Sequence, residues 1–118
     1  MTSNSIPFQT TDWSRIPKIT RQGETGFAYS QTLQFGVLRI RMVEYSENYK
    51  ADHWCEKGHI IYCLEGEMET ELSNGEKYLL TKGMTYQVSD DMSSHRSSSK
   101  EGVKLMVIDG TFLNTKSR

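Results

Sequence analysis

Residues 52–66 read DHWCEKGHIIYCLEG, and the rest of the 118-residue chain is best understood outward from this stretch. It holds two of the three histidines, His53 and His59, and both cysteines, Cys55 and Cys63. His53 and Cys55 are two apart, so in an extended segment their side chains share a face. Lys57-Gly58 reads as a turn. From His59 the chain continues as a β-branched and aromatic run, the composition of a buried strand. Imidazole and thiol groups would then stand on two adjacent strands joined by a tight connection, which is how a β-scaffold builds a metal site. The third histidine, His95, follows the turn-rich segment 89–94. A strand returning there would supply a fourth ligand, giving the set His53, Cys55, His59 and His95.

The flanking sequence has the same β character. Phe27–Phe35 and 37–45 read as strands around Gly36. In the second, Leu38, Ile40 and Met42 alternate with Arg39 and Arg41, which predicts one buried and one polar face. Residues 67–72 alternate charged and apolar side chains after a glycine turn at Gly66. Asn74-Gly75 is a strong hairpin signal leading into a strand at Lys77–Thr81. Further strands are expected at Thr85–Val88, 95–98 and 103–109. Near the N-terminus, Ile6-Pro7-Phe8 suits an edge strand. Residues 11–17 suit one helical turn capped by Thr11 or Asp12, with Trp13 as a lid over a sheet face. Nine or ten short strands with regular turn signals and almost no helical periodicity predict an antiparallel β-sandwich or barrel. One domain over residues 1–118 is expected, with flexible tails at about 1–6 and 114–118.

Charge and hydropathy narrow the function classes. Net charge is −1 and the pI is about 6.3, so no basic surface points to nucleic acid. No apolar run approaches membrane-spanning length, and residues 1–13 have neither the charged nor the apolar region of a signal peptide. The expected location is cytoplasmic, where two cysteines are thiols or metal ligands rather than a disulfide.

At this point the sequence resembles the cupin family, over roughly residues 35–109. The family's first motif, G-x(5)-H-x-H-x(3,4)-E-x(6)-G, falls on His53, Cys55, His59 and Gly66. Cys55 stands for the second histidine and His59 for the glutamate, while Glu47 occupies the place of the leading glycine. The second motif is matched more loosely: Gly83 opens it, Ser89 takes the proline position, and His95 falls one residue late. The chain also resembles a subgroup of small cupins labelled by a DHCW motif. The resemblance implies an all-β fold, a conical antiparallel β-barrel or double-stranded jelly roll. It also implies one divalent transition metal inside the barrel and pairing of chains as homodimers.

A thiolate and imidazoles in place of the usual carboxylate shift the metal preference to zinc, with iron, copper or nickel also compatible. Two ligand sets remain open: three histidines with Cys55, or three histidines with Cys55 only lining the pocket. Cys63 and Ile61 share strand parity with His59 and are expected to line the interior, Cys63 as a small apolar residue. Asp52 suits either a hydrogen-bond acceptor behind a ligand imidazole or a solvated loop residue. Arg39 and Arg41 suit either a substrate carboxylate at the barrel mouth or the solvent face of a half-buried strand or a dimer interface; the alternation favours the latter. Arg41 and Tyr45 complete the expected pocket lining. The leading functional expectation is a small-molecule metalloenzyme, dioxygenase-, isomerase- or lyase-like, acting on a small-molecule substrate. The alternative is a non-catalytic binding or metal-sensing module with a structural metal.

Overall fold

A computed structural model describes residues 5–114. Among these residues are nine strands, and every pairing between them is antiparallel. They are β1 (Ile19–Gln22), β2 (Phe27–Phe35), β3 (Leu38–Tyr45), β4 (Tyr49–Lys50), β5 (His59–Leu72), β6 (Lys77–Thr81), β7 (Thr85–Val88), β8 (His95–Ser99) and β9 (Val103–Gly110). The curled sheet runs β1-β2-β3-β9-β5-β8-β4, with β6 and β7 also paired to β5. Of the expected flexible tails, residues 1–4 and 115–118 lie outside the described residues.

The long strand β5 is the axis of the barrel. Its first half pairs with β7 and β9, and its second half with β6 and β8. The expected turn at Gly66 is therefore not a chain reversal. The register with β9 shifts between Cys63 and Glu65, and Gly66 takes a positive φ of 81°. A bulge of this kind bends a strand without ending it, so one strand serves both sheets. A Cβ on Gly66 would lie 2.4 Å from the Gly102 carbonyl oxygen, which makes this a glycine position on space as well as on φ.

Alternation along the strands sorts the two sheet faces. Val103, Leu105, Val107 and Asp109 of β9 are buried, with half-buried or exposed residues between them. Cys63, Leu105, Val103, Met68, Leu80 and Val43 form the core of one end of the barrel, against which Tyr45 and Tyr86 pack. In β3 the inward parity belongs to Val43 and Tyr45, and hence to Arg39 and Arg41. Leu38, Ile40 and Met42 face outward. This reverses the favoured sequence reading, because the barrel interior is polar where the arginines enter it.

The N-terminal segment departs from expectation in part. No strand forms at residues 6–8, and Phe8 is 95% exposed. The expected helical turn is a 3-10 turn at Trp13–Arg15, with the Asp12 carboxylate accepting from the Ser14 backbone N–H. It is fastened to the outer face of β2 by Gln31, whose side-chain amide donates to the carbonyls of Trp13 and Ile16. Residues 49–50 form the short β4.

Candidate metal centre

His59 opens β5 and His95 opens β8, both with inward parity, and the two rings meet edge to face with centroids 5.5 Å apart. Cys55 belongs to no strand. It is held by an isolated bridge to His95, in which each residue's backbone N–H donates to the other's carbonyl at 2.8 and 2.9 Å. The segment around Cys55 follows the edge of β8. The Ala51 N–H donates to the Ser97 carbonyl, and the Arg96 guanidinium lies 4.8 Å over the Trp54 ring. At its far end, Gly58 packs against backbone atoms of 88–90 so closely that an added Cβ would approach three of them within 2.6 Å. The Gly58 N–H donates to Asp90 Oδ1 at 2.7 Å. These contacts set where β5 begins, and so where His59 points.

The ligand atoms of Cys55, His59 and His95 all lie within 4.8 Å of one another. His59 is 7% and His95 4% exposed. Each histidine directs Nδ1 at an oxygen: His59 at Asp109 Oδ2 (3.2 Å), His95 at the Ser93 carbonyl (3.0 Å). Both partners are acceptors, so Nδ1 is the donor, and in the neutral ring Nε2 carries the lone pair. The His59 Nε2 faces Cys55 Sγ at 3.7 Å. The His95 Nε2 is buried without a hydrogen-bond partner. Two lone pairs and a sulfur thus converge with one buried nitrogen unsatisfied.

Electrostatics agree with this geometry. The Cys55 thiol is pulled down to about 5, chiefly by the neighbouring His59 ring and then by His95, against the opposing effect of burial. Burial disfavours the His95 imidazolium, but the nearby Cys55 sulfur and the Ser93 carbonyl outweigh it and leave the His95 pKa raised.

Behind His59 stands Asp109, 1% exposed. Arg39 binds it bidentately, Nε to Oδ1 at 2.8 Å and Nη2 to Oδ2 at 2.9 Å. Arg41 adds Nη2 to Oδ2 at 3.1 Å. Burial alone would raise this carboxyl, but the hydrogen bonds and charge of the two arginines, with His59, hold it below the ordinary carboxylate range. A carboxylate that fixes a ligand imidazole's tautomer and orientation is the usual support of a metal site.

The predicted site residues divide accordingly. Cys55, His59 and His95 come together, whereas His53 does not join them. Residues 51–58 form an irregular segment rather than a strand, so the two-residue parity with Cys55 is lost. The His53 side chain is 73% exposed, with Nδ1 2.6 Å from Asp52 Oδ1. Asp52 therefore serves an exposed imidazole, not one of the three. Cys63 and Ile61 lie in the apolar core. The Cys63 thiol donates to the Gly66 carbonyl at 3.4 Å. Tyr45 stacks on Tyr49 at 4.1 Å. The residue that sequence reasoning missed is Asp109. Its signal was available: it is the one acid at the inward parity of an otherwise apolar strand.

No family model matches the sequence, and no curated protein matches it. Solved structures do match. An ectoine synthase from P. lautus shares 18% identity over 87% of this chain and 78% of its own, with a TM-score of 0.72. A sugar phosphate isomerase of the cupin superfamily from Silicibacter pomeroyi shares 14% over 85% and 74%, with a TM-score of 0.68. The FeII form of HppE shares 13% over 92% of this chain and 63% of its own, with a TM-score of 0.70. At these identities the likeness concerns architecture. With the all-antiparallel curled sheet, it shows that the chain has the cupin fold.

Proposed function

We propose that the protein is a small-molecule metalloenzyme in which Cys55, His59 and His95 hold one divalent transition metal. The observation that carries this reading is the buried, unpartnered Nε2 of His95, aimed at the same space as the His59 lone pair and the Cys55 sulfur. Tetrahedral zinc with Zn–S of about 2.3 Å and Zn–N of about 2.0 Å requires S···N separations of about 3.5 Å. The Cys55–His59 separation of 3.7 Å is close to that value. Zinc suits this donor set best; iron, copper and nickel are also compatible. The FeII form of HppE, one of the fold relatives, keeps iron in view.

When bound, the metal would supply Lewis acidity to a ligand oxygen or activate water. The chain's own residues do the rest. Asp109 and the Ser93 carbonyl each accept from an Nδ1 and so turn both Nε2 atoms toward the cluster, and the two arginines keep Asp109 ionised. Three protein ligands leave a coordination position for substrate or water, the pattern of catalytic rather than structural zinc. The competing reading, a binding or sensing module with a structural metal, requires a fourth protein ligand. Among the described residues no fourth histidine, cysteine or acid joins the three. The ectoine synthase and the sugar phosphate isomerase among the fold relatives support catalysis as well.

Elemental analysis of protein purified without a metal-affinity column tests this. About one equivalent of transition metal per chain is expected, lost in His59→Ala. With cobalt bound, a near-ultraviolet thiolate band should vanish in Cys55→Ser and persist in Cys63→Ser. Folded wild-type protein that takes up no metal would end the reading.

The same proposal includes a homodimer. Leu33, Ile40, Met42, Ile60, Met106 and Ile108 are half-buried on the outward face of the sheet, an apolar surface suited to a second copy. A monomer mass by light scattering at micromolar concentration would contradict it.

A further inference from the structure

A cleft of about 380 Å³ opens at the end of the barrel where β3 begins and β9 ends. The charged residues lining it are Arg39, Lys57 and Asp109, with Gln34 and Thr111 beside them. Asp109 presents no free face to this space. It is buried, and its two oxygens are taken by Arg39, Arg41 and the His59 Nδ1. The two cations are reachable. The Arg39 side chain is 35% exposed. Its Nε and Nη2 donate to Asp109, which leaves the two N–H groups of Nη1 without an acceptor among the described residues. The Lys57 side chain is 44% exposed, and its nearest carboxylate oxygen, Asp90 Oδ2, stands 3.9 Å away, beyond hydrogen-bond length.

The two cations belong to different parts of the molecule. Arg39 stands on β3. Lys57 stands on the irregular segment 51–58, two residues from Cys55, whose sulfur lies 4.0 Å from the Lys57 carbonyl. That segment is fastened on one side only. Its hydrogen bonds run to β8 and to the turn at 90–91: Ala51 to Ser97, Cys55 to His95, Glu56 to Asp91 and Gly58 to Asp90. Among the described residues, none runs from 51–58 to β3 or β9. The cleft is thus a gap between the rigid ends of those strands and the segment that carries the cluster's sulfur, with one available cation on each side.

We propose that this cleft binds the oxyanion group of a small molecule, a carboxylate or a phosphate, between Arg39 Nη1 and Lys57 Nζ, and that the bound anion ties segment 51–58 to the barrel. Both contacts are charge-assisted hydrogen bonds. The charges around the cleft permit it. Arg39, Arg41 and Lys57 outnumber Asp109 and Asp90 by one. The Cys55 thiolate offsets that excess in the metal-free chain, and a divalent metal at the cluster would restore it. An anion that ties down 51–58 also restricts Cys55, so occupancy of the cleft and of the cluster favour each other. The anion site itself belongs to the polypeptide; only this last coupling rests on the metalloenzyme reading.

The test is a chemical-shift titration of the whole chain with acetate, inorganic phosphate and neutral acetamide, followed by amide hydrogen exchange at saturating anion. It is run on metal-loaded and metal-stripped wild type, Lys57→Gln, Lys57→Arg and Lys104→Gln. At least one of the two anions is expected to bind wild type about fivefold or more tightly than acetamide, and which one does so identifies the oxyanion. The Arg39 Nε–H signal and the amides of Lys57, Gly110 and Thr111 should move. Lys57→Gln should lose about five- to tenfold in anion affinity, while Lys57→Arg, which keeps a cation there, stays within about threefold. Lys104→Gln removes a positive charge at the other end of the barrel and should also stay within about threefold. Bound anion should slow exchange of the Cys55 and Gly58 amides about threefold or more in wild type and not in Lys57→Gln. Metal-stripped wild type should show the same shifts at weaker affinity, which places the anion in the cleft and not on the metal. Anions no better than acetamide, shifts away from the cleft, unchanged binding in Lys57→Gln, an equal loss in Lys104→Gln, or binding that leaves exchange of 51–58 unaltered would each overturn the proposal. Lys57-dependent anion binding by a chain that takes up no metal would refute the metal reading alone.

Discussion

The two ends of the barrel interior are built on the same strands and differ in what they do to the same chemical group. Cys63 and Cys55 are both free thiols. Cys63 lies among Leu105, Val103 and Met68, fully buried, and desolvation pushes its pKa up. Cys55 lies between two imidazoles, and its pKa falls to about 5. Strands β3, β5 and β9 each pass from one environment to the other within a few residues: Val43 to Arg39, Cys63 to His59, Leu105 to Asp109. An apolar end that sets stability supports a polar end that carries unsatisfied groups. The cost of the second is offset by the packing of the first.

The largest effects should come from changing each end separately. Asp109→Asn leaves two inward arginines without their counter-charge and removes the acceptor that orients His59. A loss of about 3 kcal/mol is expected in denaturant unfolding, with metal affinity reduced about ten- to a hundredfold. Leu105→Ala should cost about 2–4 kcal/mol from cavity formation, yet bind metal normally once folded. Equal losses of metal affinity in the two variants would show that the ends are not separable.

A smaller effect distinguishes the thiols in metal-free protein. Alkylation of Cys55 should rise through about pH 5, where its thiolate forms, while Cys63 stays unreactive until the chain unfolds. The linked stability has a definite sign. A depressed folded pKa contributes fully above the unfolded thiol's value, which is about 8.5. The contribution declines as pH falls and is gone below about 5. Cys55→Ser should flatten that slope; an unchanged slope would contradict the pairing with the imidazoles. The smallest effect is expected from His53→Ala. With its side chain 73% exposed, the substitution should leave stability within about 0.5 kcal/mol and metal content unchanged. Loss of metal in that variant would bring His53 back into the ligand set.

Much of this was legible in the sequence, and the exceptions have physical causes. Phe27–Phe35, Lys77–Thr81 and Thr85–Val88 were read to the residue because turn chemistry bounds them on both sides. The meeting of Cys55, His59 and His95 was legible from residue type and spacing. The arginines were read the wrong way round because an alternating strand shows two faces without saying which points inward. The interior here is polar at one end, so hydrophobicity gave the wrong answer for β3. The strand through Gly66 was divided in two because a bulge glycine and a turn glycine look alike in sequence. His53 was over-read because parity holds only where a strand forms, and residues 51–58 follow the edge of β8 instead.

The axial strand β5 has a consequence for how the molecule opens. It is hydrogen-bonded to β6, β7, β8 and β9 in turn, so neither sheet can detach without breaking bonds to it. Its central amides should exchange with deuterium only through global unfolding, while those of β1 and of the 51–58 segment exchange through local excursions. His59 stands at the first residue of that slow-exchanging strand and Cys55 in a fast-exchanging segment. Deuterium exchange is therefore expected to separate the two: the Cys55 amide, held by two backbone bonds to His95, should exchange well before the central amides of β5.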